Sequence, residues 1–153
     1  MAAYFLDSSA LVKRYARETG TAWMIGLFRR AAGHRLYVVR ITGVEVAAAL
    51  ARKRRGANLT AAEATRSLAR LRRDLSQRLR IVEITSALLT NAMALAEKHG
   101  LRGYDAVQLG ALLEANHERL RQNLSPLVLV AADNELLAGG GAEGLMTDDP
   151  NNH

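Results

Sequence analysis

Asp7, Glu45, Asp105 and Asp133 stand where acidic residues are uncommon, at the borders of apolar segments or inside them. Asp7 closes the run Ala3-Tyr4-Phe5-Leu6, and Asp133 closes Leu127-Val128-Leu129-Val130-Ala131-Ala132. Glu45 interrupts Val44-Glu45-Val46-Ala47-Ala48-Ala49-Leu50, and Asp105 directly precedes Ala106-Val107-Gln108-Leu109-Gly110-Ala111-Leu112-Leu113. An unpaired carboxylate is costly to bury, so most acids decorate polar stretches. Each of these acids taken singly reads as a surface or structural residue. Four that touch core-forming segments point instead to a cation that holds them, and a divalent metal is the leading candidate. Oxygen-only ligands suit Mg²⁺ or Mn²⁺ rather than zinc, which favours nitrogen and sulfur.

The elements that must position these acids alternate between strand and helix. A strand at residues 3–6 precedes a helix from about Ser9 to Arg17, and Gly20 separates that from a helix over Thr21 to Ala32. After the turn Gly33-His34, residues 36–39 read as a strand. Thr42 is the expected N-cap of a helix running to about Lys53 and closed by Gly56. Asn58 or Thr60 caps the next, which runs to about Leu79; residues 81–84 form a strand. Thr85 or Ser86 caps a helix ending near His99-Gly100, and another spans Tyr104 to Leu120. Strand 127–130 follows, then a short helix at 134–137 that ends in Gly139-Gly140-Gly141, and an edge strand at Leu145-Met146. Residues 1–150 read as one domain, with a frayed tail at 151–153 and Asp148 and Asp149 solvated beside it.

This alternation predicts a three-layer α/β/α sandwich with a mainly parallel central sheet. Ligands bind outside the carboxyl ends of the strands in such sheets. Asp7 and Asp133 end predicted strands, while Glu45 and Asp105 begin predicted helices, so all four are expected at one pocket. Helix dipoles favour ionised carboxylates there, but four crowded negative charges repel unless a cation intervenes.

The chain of 153 residues is long enough to bury a core, and its 49% hydrophobic and 24% charged composition is that of a globular protein. It has no cysteine, which removes disulfides, thiolate ligands and thiol nucleophiles. Neither a signal peptide nor a membrane span is legible, so a soluble cytoplasmic protein is expected. The net charge of +6 is regional: residues 52–80 hold ten basic and two acidic side chains, and the remainder holds 11 basic and 13 acidic ones. That distribution favours an anionic polymer or an acidic protein as partner.

Four blocks together resemble a PIN domain: Asp7-Ser8-Ser9-Ala10-Leu11-Val12-Lys13 with Glu18 downstream, Glu45 in its alanine-rich helix, Tyr104-Asp105-Ala106-Val107-Gln108-Leu109, and Ala132-Asp133-Asn134-Glu135-Leu136. Within that superfamily the chain is similar to the VapC class, the toxin ribonucleases of type II toxin–antitoxin pairs, over residues 3 to about 150. The resemblance implies a Mg²⁺- or Mn²⁺-dependent endoribonuclease. It implies a homodimer that assembles with, and is inhibited by, a small antitoxin. Asp7, Glu45, Asp105 and Asp133 match its acidic quartet; Ser9 and Glu135 match positions of secondary importance. Many members carry Thr or Ser two positions before the last Asp, where this chain has Ala131. Divalent ions held by such carboxylates stabilise the extra charge of a phosphodiester transition state and make water a competent nucleophile near neutral pH.

The basic region divides in two. At 100° per residue, Arg66, Arg70 and Arg73 fall at about 0°, 40° and 340°, opposite Leu68, Leu71, Leu75 and Leu79. Such a stripe is either a solvated outer face or a phosphate track. The run Arg52-Lys53-Arg54-Arg55 is the stronger RNA-binding candidate, because it ends the helix that begins beside Glu45. His34, His99, His117 and His153 share no ligand spacing, and Ser8 and Ser9 lack a partner histidine for a nucleophilic triad. The rival functions are a catalytically silent PIN-like module that binds RNA or protein, and a phospho-acceptor domain. The latter needs an acidic pair on the first strand and a lysine on the last, and neither is evident.

Overall fold

Short runs of large apolar and β-branched residues form five strands in a computed structural model that describes residues 1–153. They are β1 (Ala3–Leu6), β2 (Arg35–Val39), β3 (Leu79–Val82), β4 (Leu127–Val130) and β5 (Met146–Asp148). All neighbours are parallel, in the order β3-β2-β1-β4-β5. A parallel sheet is covered on both faces, which is why the inner strands are apolar at successive positions rather than alternating; Phe5, Leu6, Val38, Val39, Leu129 and Val130 are all buried.

The covering helices are α1 (Ser8–Leu11), α2 (Thr21–Leu27), α3 (Thr42–Arg55), α4 (Ala61–Gln77), α5 (Ser86–His99), α6 (Gly103–Arg121) and α7 (Asn134–Ala142). One core packs Leu11, Met24, Leu50 and Leu71 of α1 to α4 against the sheet. A second packs Leu88, Leu109, Leu112 and Leu136 of α5 to α7 against the other face. The expected three-layer α/β/α sandwich is therefore present. Local chemistry starts and stops the helices as expected at several points. Thr60 and Glu63 form a reciprocal capping box at α4. The Thr85 hydroxyl accepts from the Leu88 amide at α5, which ends on Gly100 at φ 64°. No helix is long and apolar enough to cross a membrane.

Several boundaries differ from the sequence expectation. The helix over 9–17 shortens to α1 plus a 3-10 turn at Val12–Arg14. There Arg14 and Tyr15 turn inward to Asp74, at 2.6 and 2.8 Å. The helix over 21–32 stops at Phe28, whose carbonyl accepts from the Arg78 guanidinium at 2.8 Å, and a separate 3-10 turn covers Arg30–Ala32. Thr42 is the first residue of α3 rather than its cap, with its hydroxyl bonded to Gln108. Strand β3 begins at Leu79, which pairs with Leu36, so Glu83 lies beyond its end.

The glycines at 139–141 do not end α7, which runs through them to Ala142. A Cβ at Gly140 would stand 2.7 Å from Leu129 Cδ2, so glycine lets the helix lie close on β4. The C-terminus is not a frayed tail. Asp148 belongs to β5, and Pro150–Asn152 form a 3-10 turn with Pro150 buried. The His153 ring stacks on Trp23 with centroids 4.2 Å apart and has Nε2 2.9 Å from Asp148.

From β1 the chain steps outward to β2 and β3, then returns to place β4 on the other side of β1. At this switch point α1 leaves β1 toward one face while α7 leaves β4 toward the other. Adjacent strand ends whose helices diverge leave a crevice at their carboxyl edge.

Candidate active site: an acidic cleft at the carboxyl edge

Asp7 follows the last residue of β1, where its amide donates to the Val130 carbonyl of β4 at 3.0 Å. Its carboxylate caps α1, accepting from the Ser9 amide at 3.1 Å and from the Ser9 hydroxyl. The Ser9 Oγ in turn accepts from the Ala132 amide at 2.9 Å, tying the β1–α1 junction to the end of β4. Asp133 caps α7, accepting from the Leu136 amide at 2.9 Å. Glu45, in the first turn of α3, accepts from Gln108 Nε2 at 2.7 Å and from Ser8 Oγ at 3.3 Å. Gln108 is wholly buried and also donates to Thr42 Oγ1 at 3.1 Å. Asp105 opens α6 and is half-buried.

Two clefts meet here. One, of about 740 Å³, holds Glu45, Asp105 and Asp133 together with Arg102, Tyr104 and the apolar side chains of Leu89 and Met93. The other, of about 440 Å³, holds Glu45 again with Ser8, Ser9, Arg52 and Tyr104. Asp7 is only 2% exposed and lines neither.

Every one of these acids sits at a helix N-terminus, where the dipole favours the charged form. At Asp7, Glu45 and Asp105, burial and mutual repulsion override it. Burial pushes the Asp7 carboxyl up against the Ser9 hydrogen bonds, and Asp133 adds to the rise. Burial raises Glu45 against its bond from Gln108, with Asp7 and Asp105 adding. Asp105 is pushed up to about 6, first by burial, then by the charges of Asp133 and Asp7; Arg102 opposes this and Glu135 adds to it. No lysine or arginine forms an ion pair with any of the four.

Such a donor set fits a hard divalent cation in chemistry: all oxygen, anionic, and without an ion pair to a lysine or arginine. The side chains are not drawn together around a point, for no three acidic or imidazole groups stand close enough to share one ion. The carboxylates instead hold on to Ser9, Gln108, Ser8 and the α7 amide. Of the two secondary residues, Ser9 bonds Asp7 directly, while Glu135 is exposed and reaches the site through its charge on Asp105.

The basic candidates divide. Arg52 lines the second cleft, while Arg54 and Arg55 lie with Ala64, Thr65 and Leu68 between α3 and α4. Lys53 is engaged by Glu18 at 2.6 Å, and Glu18 also binds the buried Lys13 at 3.1 Å, so this pair of bridges anchors the end of α3. Arg66, Arg70 and Arg73 are exposed, and the leucine face of α4 turns inward.

A model of the PIN domain matches residues 4–137. The chain belongs to the PIN-domain family. Its fold is shared with a protein from Pyrobaculum aerophilum, 24% identical, with a TM-score of 0.62 over 95% of this chain and 89% of that one. A chain of a toxin–antitoxin complex from Klebsiella pneumoniae is 16% identical, with a TM-score of 0.61 over 96% and 97%. A chain of VapBC2 from Rickettsia felis, solved with a DNA fragment from its promoter, is 14% identical, with a TM-score of 0.57 over 96% and 98%. No curated protein sequence matches the chain.

Sequence reasoning on this PIN domain overlooked three residues at its cleft. Gln108 was visible as a lone amide inside an apolar run, a pattern that marks a buried polar group with a partner. Ser8 was set aside as a nucleophile and here orients Glu45. Arg102 gave no signal beyond its nearness to Asp105. The alanine at position 131 is wholly buried, and Asp133 accepts from the Leu136 amide.

Proposed function

We propose that this PIN domain is an endoribonuclease toxin of the VapC class, which hydrolyses RNA phosphodiester bonds with Mg²⁺ or Mn²⁺ held by Asp7, Glu45, Asp105 and Asp133. The observation that carries the reading is that four carboxylates, from four separate elements, stand at the carboxyl edge beside the switch point of a parallel sheet, and none of them forms an ion pair with a lysine or arginine. A bound divalent ion supplies charge stabilisation for the phosphoryl oxygens and a lowered pKa for attacking water. The protein's part is orientation. Ser9 fixes Asp7, the α7 amide fixes Asp133, and Gln108 with Ser8 holds Glu45 in reserve at the wall. With no ion bound, burial and the charges of Asp133 and Asp7 push the Asp105 carboxyl up to about 6, and a bound cation would favour its charged form.

Arg52, which lines the second cleft, would hold RNA beside the acids, and the other exposed arginines of α3 and α4 would add general attraction for a polyanion. The toxin–antitoxin neighbours support a small antitoxin as cytoplasmic partner, and the resemblance supports a homodimer. A silent RNA- or protein-binding module is the second reading, favoured by carboxylates that do not yet converge. Incubation of the purified protein with structured RNA and Mn²⁺ separates the two. Cleavage that falls by roughly a thousandfold in Asp7→Asn supports the enzyme. Asparagine still caps α1, so loss of activity with an intact fold is the expected result. No cleavage, or cleavage indifferent to Asp7, overturns it.

A further inference from the structure

Tyr104 is the large ring that breaks the surface beside the acids. It is 62% exposed and precedes Asp105 in the first turn of α6. Single exposed apolar residues are common and need no explanation, but this one has a distinctive place. It lines both clefts, a property it shares with Glu45 alone. On one side of it lie Asp105, Asp133 and Arg102; on the other lie Ser8, Ser9 and Arg52. Arg102 and Arg52 are both exposed, and neither forms an ion pair. An aromatic face flanked by two free guanidinium groups is complementary to a nucleotide strand, whose bases stack and whose phosphates seek arginine.

We infer that Tyr104 is a stacking platform for one unpaired base of the RNA, with the neighbouring phosphates drawn to Arg102 in one cleft and to Arg52 in the other. This rests on the ribonuclease reading and narrows its substrate class. Bases inside a duplex are already stacked on each other, so the strand must be single or looped where it crosses the ring. Every base has a π face, so the contact selects for unpaired structure and hardly for sequence. Tyr104 is thus a positioning and specificity residue at the border of the acidic cleft.

The test is binding of a short unstructured RNA containing a fluorescent adenine analogue, on an Asp7→Asn background in Mg²⁺, with Tyr104 intact, as Tyr104→Phe and as Tyr104→Ala. Phenylalanine is expected to preserve affinity and quenching of the analogue. Alanine is expected to weaken binding by about tenfold or more and to abolish the quenching, with unchanged thermal unfolding because the ring is exposed. The same sequence in a continuous duplex is expected to be indifferent to Tyr104. The inference is overturned if alanine binds the single strand as phenylalanine does, or if none of the three binds RNA. It is also overturned if Tyr104→Ala alters self-association while RNA binding stays the same, which would assign the ring to a protein interface. Failure of the ribonuclease reading is separate: it appears as absent metal-dependent cleavage by the unmutated protein, and leaves this binding comparison decisive by itself.

Discussion

Asp74 and Asp7 are almost equally hidden, at 4% and 2% exposure, and the protein serves them in opposite ways. Asp74, on α4, receives the Arg14 fork at 2.6 and 3.4 Å and the Tyr15 hydroxyl at 2.8 Å. The Arg14 guanidinium in turn lies 3.9 Å from the centre of the Phe28 ring. Burial and the Asp74 charge together push the Tyr15 hydroxyl well above its usual range, so it stays a donor. Asp7 has hydrogen bonds from Ser9 and faces further acids rather than a cation. A buried carboxylate whose compensating charge is supplied by the chain is a joint between elements. One that the chain leaves without a compensating charge is the kind of group that the proposed metal would neutralise.

The largest effect expected from breaking this contrast is at the joint. Asp74→Ala strands the Arg14 guanidinium and the Tyr15 hydroxyl between α4 and the 3-10 turn after α1. Removing one partner of a buried pair costs about 3 kcal/mol. Chemical denaturation should show that loss, while RNA cleavage per folded molecule stays near that of the unmutated protein. A variant that keeps its stability and loses cleavage would place Asp74 in the functional site, contrary to the comparison.

An intermediate effect is expected at Ser9. Its hydroxyl donates to Asp7 and accepts from the Ala132 amide, so it sets Asp7 relative to the end of β4. Residues that orient metal ligands change affinity by about tenfold to a hundredfold when lost. Ser9→Ala should therefore weaken Mn²⁺ binding by about tenfold in calorimetric titration, with Ser9→Thr retaining most of it. Equal affinity in all three proteins would mean that Asp7 needs no such support.

How much of this contrast could be read beforehand depends on range. The placement of the four acids at one edge was legible because each abuts its own apolar run, a local signal that the alternating topology converts into one edge. The two faces of α4 were legible for the same reason, since helical periodicity is local. The Asp74–Arg14 joint spans 60 residues, and nothing near either residue announces the other. Lys53 looked free within a basic run because its partner, Glu18, lies on a different element. The three glycines suggested a turn, whereas close packing of α7 on β4 required them inside the helix. Local chemistry thus foretold which side chains are unusual, and tertiary packing decided which of them are already partnered.

The smallest effect sharpens the comparison most, because its sign changes with conditions. Asp105 has its carboxyl raised to about 6 from an ordinary value of 3.8. Between those values the unfolded chain gives up its proton first, so raising the pH through this window favours unfolding, and above about 6 the whole penalty is present. The displacement would be worth about 3 kcal/mol in full, and solvent screening of a half-open carboxyl reduces it to the order of 1 kcal/mol. Asp105→Asn removes the ionisation, so with chelator present it should stabilise the protein by that amount at pH 7 and by nothing measurable at pH 4. Excess Mn²⁺ at pH 7 should reverse the order, because the ion stabilises the form that binds it and asparagine is a weaker ligand. Thermal unfolding under these conditions reads all the differences. A variant destabilised at pH 7 with chelator present would make Asp105 a structural acid like Asp74, and the distinction between compensated and uncompensated acids would fail at that residue.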